Sequence, residues 1–234
     1  MNQVRKTSQA GFTLVELSLA MAFIAMILLA VAMLTIQISG TYNKGLTMRS
    51  VNEAGQLISR DIQQTLNTSV PGDVIVLDSD TTGGRLCANS VVYAWNYAGH
   101  LQDGFGGRNR GPTGTDVRLV RISADNSYCR RDGSGQYPML SLSGPGASDF
   151  TELLGGGDNT LALSKFTLEE SSVKNDVDQK MYAVSFILGT SEGNIIESND
   201  CDVPESIVDD EYCAVNVFEF TARAGNKSAV RDGE

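Results

Sequence analysis

Several features that usually mark an enzyme or a metal centre are scarce in this sequence. His100 is the only histidine, and no two cysteines form a CxxC pair. A Ser–His–Asp arrangement would have to use His100, and zinc sites need clustered histidine and cysteine ligands. The glycine-rich segment 104–111 also misses the dinucleotide-binding fingerprint. We therefore expect no catalytic residue, no bound metal and no cofactor-binding motif.

Basic residues are also fewer than acidic ones. The 234 residues include 18 Lys and Arg against 28 Asp and Glu, which gives a net charge of −10. Such a chain is not built to coat nucleic-acid phosphates, so nucleic acid is not an evident partner. We interpret the basic pairs Arg108 with Arg110 and Arg130 with Arg131 as solvated loop charge.

Proline is absent before Pro71, and Glu16 is the only charged residue between positions 12 and 38. Residues 17–36 form an apolar run of the length that a helix needs to cross a bilayer core, and a helix is the only reasonable form for a single span. Arg5 and Lys6 precede the run, so the positive-inside rule places the following domain outside the cytoplasm.

The leader, residues 1–11, is polar, basic and free of acidic residues. A secretory signal is cut after its apolar stretch, at small residues. Here the natural cleavage point lies before the stretch, between Gly11 and Phe12. The sequence therefore predicts that the apolar helix stays on the mature protein.

Glu16 is the unusual residue of the apolar segment. An acid near the start of a membrane helix is costly unless it is paired or near the interface, which favours a functional role. The alternative is a first-turn glutamate that the helix dipole favours and that reaches the headgroups. Taken alone, Glu16 does not decide between these interpretations.

The context of Glu16 is G-F-T-L-V-E-L at positions 11–17, which resembles the type IV prepilin signature. The resemblance implies that a prepilin peptidase cleaves after Gly11 and N-methylates Phe12. It also implies that Glu16 pairs with the amine of a neighbouring subunit, since a buried charge needs an opposite partner. The partners implied are other pilin subunits, the prepilin peptidase and the inner-membrane assembly platform. The chain would be a single-pass cytoplasmic membrane protein before assembly and part of a cell-surface filament afterwards.

Apolar residues continue at helical spacing beyond the membrane segment and predict an amphipathic helix that packs on a sheet. They are Met48, Val51, Ala54 or Gly55, Ile58, Ile62 and Leu66. Gly40, Gly45 and Gly55 weaken this helix and are either bending points or simple defects. The segment R-D-I-Q-Q-T-L at 60–66 is similar to the stalk end of PulJ/PilW-like minor pilins.

After Pro71 the pattern changes to short β-rich runs separated by turn residues. Strands are predicted at 74–77, 90–96, 117–122, 161–168, 181–188 and 214–222, and one brief helix at 148–154. The fold class is therefore α+β and pilin-like, with a long N-terminal helix, membrane-spanning in its first half, packed on an antiparallel sheet. Segments 128–131, 152–155 and 212–220 also resemble the PulJ/PilW-like group.

This pattern divides the chain into five parts. They are the leader 1–11, the transmembrane or filament-core helix 12–38, the amphipathic stalk 39–68, the β-rich extracytoplasmic domain 69–223 and a polar tail 224–234.

The four cysteines all follow the membrane segment, and an even number in an exported domain predicts two disulfides. Three pairings are possible. Cys87–Cys129 and Cys201–Cys213 are favoured because they close the shorter loops.

Acidic residues cluster near the last cysteines, at 200, 202, 205 and 209–211. Calcium is one interpretation, because such loops supply its oxygen ligands, and a solvated acidic loop is the favoured one. The run that begins at Asp78 starts like an EF-hand loop but has Asn89 at its twelfth position, so that match fails.

Tyr93, Trp95 and Tyr97 alternate and so share one strand face. Core packing is favoured over an exposed aromatic patch.

The predicted function is a minor pilin that is incorporated into a type IV pilus or primes its assembly. A minor pseudopilin of a type II secretion system is the alternative, and a membrane-anchored enzyme or binding protein is a remote one.

Overall fold

The computed structural model describes residues 11–77, 82–101, 109–110, 117–124, 126–133, 140–141, 150–154, 161–171, 179–190 and 213–225. The architecture is α+β, with one long N-terminal helix packed against antiparallel sheets. This is the fold class that the sequence predicts. The chain forms two compact units, and the boundary between them falls inside the helix, after Asn43.

Helix α1 (Leu14–Asn67) contains 54 residues and no proline. Its large apolar side chains from Leu14 to Ile38 are all more than half exposed. The helix is long and apolar enough to cross a membrane. Such a surface is stable only in lipid or against other protein, since water disfavours it.

The second part of α1 is amphipathic, because its buried residues recur every three or four positions. They are Thr47, Val51, Gly55, Ile58, Ile62, Thr65 and Leu66. The predicted stripe is confirmed from Val51 onward. Its first member, Met48, is instead 37% exposed, and Thr47 is buried in its place.

Two antiparallel sheets follow α1 in the described residues. Sheet A has the strand order β1-β2-β3-β5-β7, and sheet B has the order β10-β9-β8. The short strands β4 and β6 pair in parallel beside them. The strands are β1 (Ile75–Leu77), β2 (Gly83–Ala88), β3 (Val91–Asn96), β4 (Asn109–Arg110), β5 (Leu119–Ser123), β6 (Leu140–Ser141), β7 (Phe150–Glu152), β8 (Leu161–Ser171), β9 (Lys180–Thr190) and β10 (Val215–Ala224).

All six predicted strands are present, and no strand end is shifted by more than three residues. Strand β2 was not predicted, because it begins with two glycines and glycines usually mark a turn. In the structure a side chain on Gly83 would meet the backbone of β3, and one on Gly84 would meet the Trp95 indole. These glycines therefore serve close approach within the sheet.

The predicted helix at 148–154 is wrong, because Phe150–Glu152 forms strand β7 and pairs antiparallel with β5. The Glu152 side chain reinforces this pairing. Its Oε1 accepts hydrogen bonds from the backbone N–H of Leu119 at 3.0 Å and of Leu154 at 3.4 Å. Burial raises the pKa of this carboxyl, against the lowering effect of those bonds.

The larger core lies between the amphipathic part of α1 and the facing sides of both sheets. A row of four rings runs through it, with centroids 4.4 Å apart for Trp95 and Phe166, 6.3 Å for Phe166 and Phe186, and 5.1 Å for Phe186 and Phe218. Core packing is therefore confirmed for Trp95, and it holds for Tyr93 too, which is fully buried. Tyr97 is partly buried against the same core.

A smaller core covers the other side of sheet A. It contains Val92, Ala94 and Val120 from the strands and Cys87 with Cys129 at its margin. The short 3₁₀ turn Asn126–Cys129 packs over it. Sheet A is thus buried on both faces.

Candidate functional site

The predicted processing site lies immediately before α1. Gly11, Phe12 and Thr13 are non-helical, and α1 begins at Leu14. The Phe12 side chain is 86% exposed. The Gly11–Phe12 bond is therefore outside the helical hydrogen-bond ladder. Residues 1–10 of the leader lie outside the described residues.

Glu16 sits in the first turn of α1 and forms a capping box with Thr13. The backbone N–H of Glu16 donates to Thr13 Oγ1 at 3.3 Å. In return, Glu16 Oε2 accepts from the Thr13 backbone N–H at 3.4 Å and lies 3.3 Å from the Thr13 hydroxyl. Each residue thereby satisfies an N–H that the helix start leaves without a partner.

Thr13 is the site residue that the sequence reasoning did not single out. Its signal was available, since T-x-x-E before an apolar run is the capping-box pattern. The capping box gives Glu16 a local structural role. It leaves room for a second role, because both bonds to Thr13 end on Oε2, and a carboxylate has about four acceptor positions.

A polar cluster joins the amphipathic part of α1 to sheet A. The Tyr93 hydroxyl donates to Asp61 Oδ2 at 2.6 Å, and the Thr65 hydroxyl lies 2.8 Å from the same phenolic oxygen. Because Tyr93 gives its proton to Asp61, Thr65 is the donor in the second bond. Arg121 Nε lies 3.3 Å from Asp61 Oδ2 and completes an ion pair. Burial, followed by the bond to Asp61, raises the pKa of Tyr93.

Strand β10 is held against α1 by side-chain bonds along its free edge. Gln63 Nε2 donates to the carbonyl of Thr221 at 3.0 Å, and Asn67 Oδ1 accepts from the N–H of Arg223 at 3.1 Å. Edge strands otherwise present unpaired backbone groups to other chains. The helix therefore closes part of this edge.

The segment R-D-I-Q-Q-T-L supplies most of these contacts. Asp61, Gln63 and Thr65 provide the hydrogen bonds, and Ile62 and Leu66 are fully buried. This segment is where the helix is attached to both sheets.

The predicted Cys87–Cys129 pair is a disulfide in the structure. It connects β2 to the 3₁₀ turn Asn126–Cys129, and the buried Arg85 supports the same turn by donating from Nη1 to the Tyr128 carbonyl at 3.0 Å. Cys213 is also disulfide-bonded, and Cys201 lies outside the described residues.

The remaining candidates do not assemble into a reactive site. His100 ends a 3₁₀ turn, Ala98–His100, and its N–H donates to the Tyr97 carbonyl at 2.8 Å. The part of the chain that the structure describes holds no group of three metal-ligating side chains. The acidic residues at 200–211 and the start of the EF-hand-like run at 78–80 lie outside the described residues.

No protein-family model matches this sequence, and neither a curated protein nor a solved structure is significantly similar to it.

Proposed function

We propose that this chain is a minor pilin: a prepilin peptidase trims it after Gly11, and it is then incorporated into a type IV pilus or primes its assembly. The observation that carries the proposal is the division of α1. One helix presents an exposed apolar surface up to Ile38 and then a stripe that anchors it to a disulfide-bonded β domain. The G-F-T-L-V-E-L motif at 11–17 stands at its start.

The exposed apolar surface of α1 serves both the membrane-bound subunit and the assembled filament. The apolar surface is satisfied by lipid before assembly and by the helices of other subunits afterwards. Cleavage with water frees an amine at Phe12 and a carboxylate at Gly11. Glu16 then offers an acceptor to a neighbouring subunit's ammonium, and loss of one partner of a buried pair costs about 3–5 kcal/mol.

The direct experiment is mass spectrometry of the chain recovered from sheared surface filaments. We expect a chain that begins with N-methylated Phe12, and a Gly11→Val precursor that keeps its leader and stays in the membrane. A chain that begins at Met1 in cells with an active prepilin peptidase contradicts the proposal.

Two substitutions separate the charge of Glu16 from its role in capping. Glu16→Gln keeps an oxygen that can accept from Thr13 but removes the charge, whereas Thr13→Val removes the capping hydroxyl and keeps both shape and charge. We expect Glu16→Gln to be cleaved and yet excluded from filaments, and Thr13→Val to assemble. The reverse result would assign Glu16 to the helix start alone.

A further inference from the structure

The outer face of sheet B carries two rows of side chains that mirror each other. In one row Thr167, Ser185 and Glu219 lie side by side on β8, β9 and β10. In the next row the order is Glu169, Ala183 and Thr221. Each row therefore has a glutamate at one end, a small residue in the middle and a threonine at the other end.

These two rows line a groove of about 630 Å³. Small side chains on β9 form its floor, and the exposed carboxylates of Glu169 and Glu219 stand on opposite sides. Within the described residues neither carboxylate takes part in an ion pair, whereas the adjacent Glu170 pairs with Lys180 at 3.0 Å. Lys165 and Arg223 lie one row beyond, at opposite corners of the face.

The same chain presents basic side chains elsewhere on its surface. Arg130 and Arg131 follow Cys129 directly, and both are exposed. The disulfide to Cys87 and the bond from Arg85 to the Tyr128 carbonyl fix the turn that precedes them. The Arg130 N–H donates to the Ser127 carbonyl at 3.1 Å, which holds the start of this basic turn in place. The basic turn is thus presented on a rigid support.

We propose that the groove between Glu169 and Glu219 receives the basic turn of a second copy of this chain, with Arg130 placed against the carboxylates. The inference rests on the proposed function, because assembly is what brings copies together. Complementary charge favours this occupant, and steering between opposite charges speeds encounter. Arginine suits the site, since its planar fork matches carboxylates.

This contact joins two different surfaces, so it is heterologous. A heterologous contact leaves one groove and one basic turn unused at the ends of every pair, and it repeats into an open helical array unless the rotation closes a ring. The contact therefore lets copies of this chain follow one another where they meet during assembly, rather than limiting them to an isolated, symmetric dimer.

Charge reversal in the full chain, produced in its own cells, tests the contact. The measurement is the amount of mature chain in sheared filaments relative to the amount in the membrane. We expect Glu219→Arg and Arg130→Glu, each alone, to lower that ratio by about five-fold, the upper range for one exposed ion pair. The combination of both is expected to restore at least half of the ratio. Glu169→Arg and its combination with Arg130→Glu form a second, independent swap.

Glu170→Arg is the matched control, because it makes the same charge change next to Glu169 but loses only an exposed bridge of small value. We expect it to assemble normally. Single reversals without effect overturn the inference, and so do losses that neither swap restores, since the partner would then be a different molecule. Failure of the proposed function looks different: the unsubstituted chain itself would be missing from filaments or would begin at Met1.

Discussion

Tyr93 and Asp61 join sheet A to the helix through a 2.6 Å hydrogen bond between a phenol and a carboxylate. Tyr93 is fully buried, whereas the Asp61 side chain is 37% exposed and also faces Arg121. A buried phenol without a partner is costly, so this pair specifies which position along α1 faces β3. The apolar stripe alone would tolerate a slip of one turn more easily.

Replacing Tyr93 by phenylalanine should lower the free energy of unfolding by about 1–2 kcal/mol, because the buried Thr65 hydroxyl and Asp61 both lose a partner. Urea unfolding of the full chain in detergent, followed by the fluorescence of the only tryptophan, Trp95, measures the change. Arg49→Gln is the control, since it removes an exposed i,i+4 pair with Glu53 and should change stability little. Equal effects from both would contradict a special role for the cluster.

Gly55→Ala should destabilise the protein although alanine favours helices. A methyl group at this position would overlap the ring of Phe218, and overpacking costs about 1–3 kcal/mol. Gly45→Ala is the matched control, because nothing lies within 4 Å of the added methyl; it should stabilise the helix by up to about 1 kcal/mol. The measurement is the change in the free energy of unfolding for each variant. The two changes have opposite signs if Gly55 makes space for the Phe218 ring, and the same sign if Gly55 is a simple helix defect.

Removal of the Cys87–Cys129 disulfide by a double alanine substitution should cost about 2–4 kcal/mol, because the bond closes a long loop, with a sequence separation of 42. The measurement is urea unfolding under oxidising conditions. The loss should be larger than that of Tyr93→Phe, and the turn that bears Arg130 should become susceptible to proteolysis. An unchanged unfolding midpoint would show that the smaller core holds this turn without the bond.

Glu152 should make stability depend on pH in a specific direction. Burial raises the pKa of Glu152 in the folded state, so folding favours the protonated carboxyl. The resulting contribution to stability is fully present below the pKa of the unfolded chain, about 4.3. It is lost as the pH rises through the pKa of the folded state. Glu152→Gln keeps the acceptor oxygen and does not titrate. Its stability relative to the unsubstituted chain should therefore increase as the pH rises from about 4.

Glu152→Ala, in contrast, removes the acceptor for Leu119 and Leu154 and should cost about 1–3 kcal/mol at any pH. Unfolding midpoints between pH 4 and 8 separate the two effects. A pH profile that is the same for the Gln variant and the unsubstituted chain would contradict the assignment.

Much of the fold was predictable because its signals are local. A proline-free apolar run, a stripe at three- and four-residue spacing and alternating β-rich segments gave α1 and six strands within a few residues. Local signals also failed: β2, which begins with Gly83 and Gly84, was not predicted, and 148–154 suggested a helix where β7 pairs with β5. Pairing between distant strands overrode local preference at these positions.

By itself, then, the sequence determined the motif around Gly11 and Phe12, the apolar and amphipathic halves of α1, and the fold class. These features depend on the spacing of apolar residues and the length of apolar runs, which involve residues close together in the chain. Only the tertiary structure decided that Gly55 faces Phe218, that Asp61 meets Tyr93, and that Glu169 and Glu219 border one groove. These relationships join positions from 32 to more than 100 residues apart. They depend on strand order and register, which are set by how all the elements pack together.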